Sequence, residues 1–171
     1  MTFLVVTDIH GAPSPEICLS AELGKTHPVR HLHLADLCNR PDLSGEALHK
    51  HLFLGEGLAQ VTATLIPFSS KDTLAIGYSA GGTALWQAVQ QGMQLARLIC
   101  VSSTRLRDEG PIDTPHHVIF GQDDPGRPGQ NWLDHVPQSY DLIPDAGHSF
   151  YTKPQSHAYA QGRRAFDRAL A

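Results

Sequence analysis

One serine in this chain lies in a sequence context that favours a nucleophile. Ser79 is the centre of Gly77-Tyr78-Ser79-Ala80-Gly81, between an apolar run at 74–76 and a helix-like run. A turn from strand to helix is too tight for side chains two residues either side of the serine, so Gly77 and Gly81 predict a nucleophile elbow. The serine would then lie at a helix N-terminus, where free N–H groups favour developing negative charge. The pattern predicts a reactive serine, although a glycine-rich turn without chemistry has the same pattern.

A serine hydroxyl needs a general base, usually histidine, and that histidine needs a carboxylate to hold its tautomer. The sequence offers both groups at the ends of later strands. Asp123 and Asp124 follow the fifth predicted strand, and His148 follows the sixth. Because the carboxyl ends of parallel strands meet at one edge of a sheet, we expect Ser79, His148 and one of these two aspartates to lie together.

The elements that must position these residues alternate between strand-like and helix-like runs. This alternation predicts a three-layer α/β/α sandwich with a mainly parallel sheet of about six strands. The predicted strands are Phe3 to Thr7, Val29 to Leu34, Thr73 to Tyr78, Leu95 to Val101, His117 to Phe120 and Tyr140 to Ile143. The predicted helices are Pro15 to Leu23, Ser44 to Leu65 with glycines weakening its middle, Ala80 to Gln91, Asn131 to Val136 and Gln155 to Leu170. The loop from Ser102 to Thr114, which carries five charged residues, is expected to be exposed.

Composition narrows the class of protein. With 171 residues, 41% of them hydrophobic and 18% charged, the chain is expected to form a single domain over 1–171. Its net charge of -4 favours neither nucleic acid nor an anionic membrane as a partner. The N-terminus lacks the basic region of a signal peptide, and three cysteines without C-x-x-C spacing favour the reducing cytoplasm.

Together these blocks resemble the α/β-hydrolase superfamily. The elbow, the G-x-x-D pattern at 121–124 and the Gly-His pair at 147–148 occur in that family's order of serine, acid and histidine. The resemblance favours Asp124 as the acid, with Asp123 as the close competitor. It implies a minimal α/β-hydrolase fold that cleaves small carboxylic esters or thioesters through an acyl-enzyme, with a small-molecule substrate as partner and no cofactor or metal.

The resemblance also implies an oxyanion hole and a pocket. Ala80 follows the nucleophile and matches one N–H donor of the family, and His10-Gly11-Ala12 resembles its second loop, with Ala12 as donor. No insertion is long enough to form a lid, which favours small substrates over long lipids. Aromatic residues near the three blocks are expected to line the pocket: Tyr78, Trp132 and Phe150.

Two other functions compete with this interpretation. Asp8, His10 and Asp36 resemble the first two blocks of metallophosphoesterases, in which carboxylates and imidazoles bind metal ions. The third block of that family is absent from the following stretch of sequence. The remaining alternative is a non-catalytic binding protein of the α/β-hydrolase fold.

Overall fold

The computed structural model of the protein describes residues 1–170 and contains six strands and six α-helices in this range. The strands are β1 (Thr2–Val6), β2 (Val29–Leu32), β3 (Ser70–Tyr78), β4 (Leu95–Val101), β5 (His116–Gly121) and β6 (Tyr140–Ile143). The helices are α1 (Leu34–Leu37), α2 (Gly45–Leu54), α3 (Gly57–Leu65), α4 (Ala80–Gln90), α5 (Gln130–His135) and α6 (His157–Leu170). Within residues 1–170, none of the helices is long and apolar enough to cross a bilayer.

All six strands are parallel and lie in the order β2-β1-β3-β4-β5-β6. The chain leaves β1 towards β2 and then returns past β1 to form β3. The loops that follow β1 and β3 therefore diverge and leave a crevice between them, the usual place of a ligand site in such a sheet. In the register, Val6 pairs with Gly77 and Tyr78 pairs with Val101. The carboxyl ends of the central strands are thus level.

Alternate strand residues enter two separate cores, as expected for a sheet buried on both faces. One core packs Leu4, Ala75 and Cys100 against buried residues of α1 to α5. The other packs Phe3 and Ile76 against α6 and the segment that follows β1. The three-layer sandwich predicted from the sequence is confirmed, with five helices on one face and α6 on the other.

The long helix predicted from Ser44 to Leu65 is wrong in its middle, where the chain forms two helices. Gly55 ends α2 in an extended conformation (φ -119°, ψ -155°). Both glycines of this break pack against His51, and a Cβ at Gly57 would lie 2.6 Å from the His51 Cδ2 atom. The break therefore needs residues without side chains, which is the weakness that the two glycines indicated.

The helix predicted from Pro15 to Leu23 is also wrong, because this segment forms turns and a single 3₁₀ turn at Leu23–Lys25. The segment packs Cys18 and Leu19 into the second core. The Leu19 N–H donates to the Tyr78 hydroxyl at 3.1 Å rather than to a helical carbonyl. Separate turns keep local hydrogen bonds, such as the one from Cys18 N–H to the Ser14 carbonyl at 2.9 Å, but at Leu19 a tertiary contact has replaced the helical one.

Candidate active site

The turn from β3 into α4 has the geometry of a nucleophile elbow. Ser79 has φ 50° and ψ -123°, a conformation that L-residues rarely adopt. A Cβ at Gly77 would collide with the Gly82 backbone, and one at Gly81 would lie 2.5 Å from the Thr7 carbonyl oxygen. The two glycines therefore allow α4 to start against β1 and β3. This close packing places Ser79 at the first turn of α4.

Three side chains from the carboxyl ends of β3, β5 and β6 form one hydrogen-bonded chain. The Ser79 Oγ lies 3.0 Å from His148 Nε2, and His148 Nδ1 lies 2.8 Å from Asp124 Oδ2. The Asp124 side chain is 2% exposed, and its Oδ1 accepts the Gly126 N–H at 2.8 Å. With a proton on Nδ1 pointing to the carboxylate, Nε2 accepts from the serine hydroxyl; we assign this tautomer from the hydrogen-bond network. The structure thus brings Asp124, and not the exposed Asp123, to the histidine.

The serine is more deeply buried than its histidine partner. Ser79 is 4% exposed, whereas the His148 side chain is 39% exposed. His148 therefore contacts both the buried hydroxyl and solvent, and its Nε2 lies within the hydrogen-bond distance that a proton acceptor for Ser79 requires.

Thr104 is a contact of the serine that the sequence interpretation missed. Its Oγ1 lies 2.8 Å from Ser79 Oγ, and its carbonyl oxygen accepts a hydrogen bond from the Thr83 hydroxyl. Because the Ser79 proton points to His148, the Thr104 hydroxyl donates to Ser79 Oγ. Thr104 follows β4, which lies next to β3 in the sheet. Its position after a central strand is the feature of the sequence that could have indicated a place near Ser79. The loop predicted to be exposed begins with two buried serines, Ser102 and Ser103.

The predicted second oxyanion donor, Ala12, is wrong, because its N–H is already used. It donates to Asp8 Oδ1 at 2.9 Å. The peptide N–H groups of Ala80 and Ile9, by contrast, donate to no protein acceptor within residues 1–170. The Ile9 N–H comes two residues after Thr7, whose carbonyl abuts the start of α4. The Ala80 N–H directly follows the nucleophile, and the Ile9 N–H belongs to the loop that follows β1.

The loop that carries Ile9 is held by a buried carboxylate. Asp8 Oδ1 accepts the N–H groups of His10 and Ala12 at 2.8 and 2.9 Å, and its Oδ2 accepts the Tyr151 hydroxyl at 2.9 Å. Burial and the charge of Asp8 raise the pKa of Tyr151, so the phenol remains a donor. Asp8 is therefore a structural brace of the loop.

We expect Asp8→Ala to lower the free energy of unfolding by roughly 2–4 kcal/mol, because three donors lose a charged acceptor at a buried site. Asp8→Asn should lose about 1 kcal/mol, since the amide oxygen still accepts both N–H groups. Urea denaturation of the two variants and the wild-type protein measures the difference. Equal losses in both variants would contradict a role based on accepted hydrogen bonds.

The hydrogen bonds of Asp8 also decide whether it could bind a metal ion, as the metallophosphoesterase-like alternative requires. Asp8, His10 and Asp36 line one small cavity of about 210 Å³. Both oxygens of the Asp8 carboxylate are occupied by protein donors, however. In the part of the chain that the structure describes, no group of three or more His, Cys, Asp or Glu residues is placed to hold a metal ion. The geometry therefore gives this alternative no ligand set.

Two of the three predicted pocket residues are core residues instead. Tyr78 is fully buried, and burial raises the pKa of its phenol, which accepts from Leu19 N–H. Phe150 is 4% exposed and packs where Gly162 of α6 leaves space. Trp132 is half-buried beside Trp86 and donates its indole N–H to the Glu109 carbonyl at 3.0 Å.

Comparison with known proteins gives a fold but no sequence family. Neither the protein-family models nor the curated proteins match the sequence of the chain. Among solved structures, the mouse α/β hydrolase domain-containing protein 10 is similar at a TM-score of 0.66 and 13% identity, over 99% of this chain and 89% of that one. A dienelactone hydrolase-like promiscuous phosphotriesterase from metagenomic libraries is similar at 0.65 and 13%, over 98% and 86%. RedJ, the thioesterase of the prodiginine biosynthetic pathway in Streptomyces coelicolor, is similar at 0.64 and 11%, over 98% and 85%.

The sheet order, the elbow after β3 and these neighbours define one structural class. The protein has the α/β-hydrolase fold. It is a minimal form of that fold, built on six parallel strands. The resemblance stated from the sequence is confirmed at this level.

Proposed function

We propose that the protein is a serine hydrolase that cleaves small carboxylic esters or thioesters. The observation that supports this most is the unbroken hydrogen-bonded chain from Ser79 through His148 to Asp124. Each side chain comes from a different strand end, and Ser79 lies at the start of a helix in a rare backbone conformation. Such strain persists where the surrounding structure holds it, typically at functional sites.

The reaction follows from these positions. His148 Nε2 takes the proton of Ser79 as Oγ bonds to the acyl carbon, and Asp124 stabilises the resulting imidazolium. The Ala80 and Ile9 N–H groups donate to the oxyanion, and the Nε2 proton leaves with the alcohol or thiol. Water then gives a proton to Nε2 as its oxygen bonds to the acyl carbon. The bond from this carbon to Ser79 Oγ breaks, Oγ takes the proton back from Nε2, and the acid is released. Thr104 donates to Ser79 Oγ in the resting state and keeps the hydroxyl oriented.

The neighbours support this proposal only through the activities that their names state. One is called a thioesterase and another a phosphotriesterase, and each shares 11% to 13% of its sequence with this chain. At such identity they show the fold, and the chemistry must come from the site. A fluorophosphonate, which forms a stable bond with an activated serine, is the direct test, because a non-catalytic binding protein of the same fold should not react.

We expect kcat/KM for p-nitrophenyl esters to be highest between acetyl and butyryl and to fall at least tenfold by decanoyl. Each methylene that is buried gains about 0.8 kcal/mol, or roughly fourfold. Two of the three aromatic rings expected to bury an acyl chain, those of Tyr78 and Phe150, lie in the core instead. A panel from acetate to decanoate, run below the micelle concentration of each ester, measures the trend. An optimum at decanoyl would show that an apolar acyl site exists.

We also propose a reducing compartment, the cytoplasm, for this protein. Its three cysteines are free and buried. Burial raises the pKa of Cys100 to about 12, so this thiol stays protonated and unreactive. Free thiols are usual for proteins of the cytosol.

A further inference from the structure

Helix α2 contacts the loops that follow β1 and β4. Its first residue, Gly45, donates its N–H to the Ile9 carbonyl at 2.9 Å, and a Cβ at Gly45 would lie 3.3 Å from the His10 ring. Two turns later, the Phe53 ring lies under the Arg105 guanidinium, 4.9 Å from centroid to Cζ. His10 follows β1 and Arg105 follows β4, on either side of β3. One face of α2 therefore connects the loops that flank Ser79.

That face carries aromatic and basic groups. Gly45, His49 and Phe53 are four residues apart and share one side of α2. The rings of His49 and Phe53 lie 4.8 Å apart between centroids. Burial lowers the pKa of His49, and the nearby charge of Arg105 lowers it further. The acid of this helix, Glu46, is paired with Lys50 at 2.7 Å.

Arg105 is held next to the nucleophile without a counter-charge. It follows Thr104, which contacts Ser79 Oγ, and its backbone is left-handed (φ 60°, ψ 15°). The side chain is half-buried, yet in residues 1–170 it makes neither an ion pair nor a side-chain hydrogen bond. Four other arginines have a carboxylate within 4 Å: Arg40, Arg107, Arg163 and Arg168. Arg30 also stacks on a phenyl ring without an ion pair, but it lies on β2, away from the strand ends that carry the triad. A guanidinium presents a rigid fork of donors that suits a carboxylate or a phosphate.

We propose that Arg105 binds an anionic group on the substrate, so that the enzyme prefers acyl groups that carry a second carboxylate or a phosphate. This proposal rests on the serine hydrolase function proposed above. Phe53 holds the planar guanidinium by stacking, which leaves the N–H groups at its edge for the anion. His49, next to Phe53, and the exposed His10, next to Gly45, are further donors along the same face of α2. Arg105 is thus a specificity residue.

The kinetic test compares monomethyl succinate with methyl butyrate, which has a methyl group in place of the distant carboxylate. Acid release at constant pH gives kcat/KM for both esters. In Arg105→Gln, we expect kcat/KM for the succinate ester to fall about 10- to 100-fold, which corresponds to the loss of a hydrogen bond to a charged group. For methyl butyrate, we expect kcat/KM to fall less than threefold. Arg105→Lys should retain part of the preference, because the charge remains without the fork. Arg164→Gln, an exposed arginine of α6, is the control that should change neither value.

A binding test separates this proposal from the hydrolase proposal. Ser79→Ala cannot form an acyl-enzyme but keeps Arg105, so its Tm is measured with monomethyl succinate and with monomethyl phosphate. A rise in Tm with either anion, absent in Ser79→Ala/Arg105→Gln, supports the anion site, and the two ligands distinguish carboxylate from phosphate. If Arg105→Gln affects both esters equally or neither, or if the double variant keeps the rise, the proposal is overturned. A protein that hydrolyses nothing refutes the hydrolase function, and the binding result still decides the role of Arg105.

Discussion

The Ser79→Ala protein is expected to lose about 10⁴- to 10⁶-fold in kcat for ester hydrolysis and all labelling by a fluorophosphonate. The loss is this large because the acyl-enzyme needs an oxygen nucleophile, and Ser79 Oγ is the atom that His148 and Thr104 both contact. The remaining rate would come from binding and the oxyanion donors alone. Initial rates on p-nitrophenyl acetate, with labelling followed by intact-protein mass spectrometry, measure both effects.

The chain contains its own matched control for this experiment. At the opposite end of the sheet, Ser139 Oγ lies 2.8 Å from His117 Nδ1, and His117 Nε2 lies 3.0 Å from Asp141. Asp141 also accepts from Arg168 at 2.7 Å. This second serine–histidine–aspartate chain has no elbow, because Ser139 precedes β6 in an exposed irregular segment.

Ser139→Ala should therefore keep full labelling and activity within about threefold, the range of a surface substitution. Labelling that survives in Ser79→Ala and disappears in Ser139→Ala would place the reactive serine at the other end of the sheet and contradict the proposed site. A serine beside a histidine is common in proteins. The two sites differ because only Ser79 lies at a helix N-terminus with free N–H groups beside it.

The sheet and the three triad candidates could be predicted because each depends on a local pattern. Apolar runs mark the strands, and a polar residue directly after a strand must lie at the same edge as its counterparts. The register of β3, β4 and β5, with Tyr78 opposite Val101 and Val101 opposite Ile119, makes that edge level. Periodicity and position were sufficient for this part of the fold.

The oxyanion loop and the pocket could not be predicted because they depend on which donor meets which acceptor. His10-Gly11-Ala12 has the expected residues, but the Asp8 carboxylate turns the loop back and occupies the Ala12 N–H. A sequence does not show such a hydrogen bond between residues of one turn. The aromatic residues Tyr78 and Phe150 were misassigned for a related reason, since a ring in a core and a ring in a pocket have the same spacing.

Thr104 and Arg105 were missed because charge dominated the interpretation of their loop. Five charged residues predicted exposure from Ser102 to Thr114. The structure divides this loop: its first residues pack under the elbow, and its later residues are largely exposed. The left-handed backbone at Ser102 (φ 47°) and Arg105 (φ 60°) makes this reversal, and neither residue type indicates such a conformation.

Asp124→Asn is expected to lower kcat by about 10⁴-fold with little change in the fold. The substituted amide keeps the shape of the carboxylate, but its NH₂ group can donate to His148 Nδ1, which favours the tautomer with its proton on Nε2. That tautomer cannot accept the proton of Ser79, and the charge that stabilises the imidazolium is lost as well.

Asp123→Asn is the control, because Asp123 is exposed and its backbone N–H, rather than its side chain, is bonded to the Ala146 carbonyl. It should keep kcat within about threefold, the range of a surface substitution. Stopped-flow measurement of the acylation burst with each variant tests the assignment, and a larger loss in Asp123→Asn than in Asp124→Asn would show that the neighbouring carboxylate serves the histidine during the reaction.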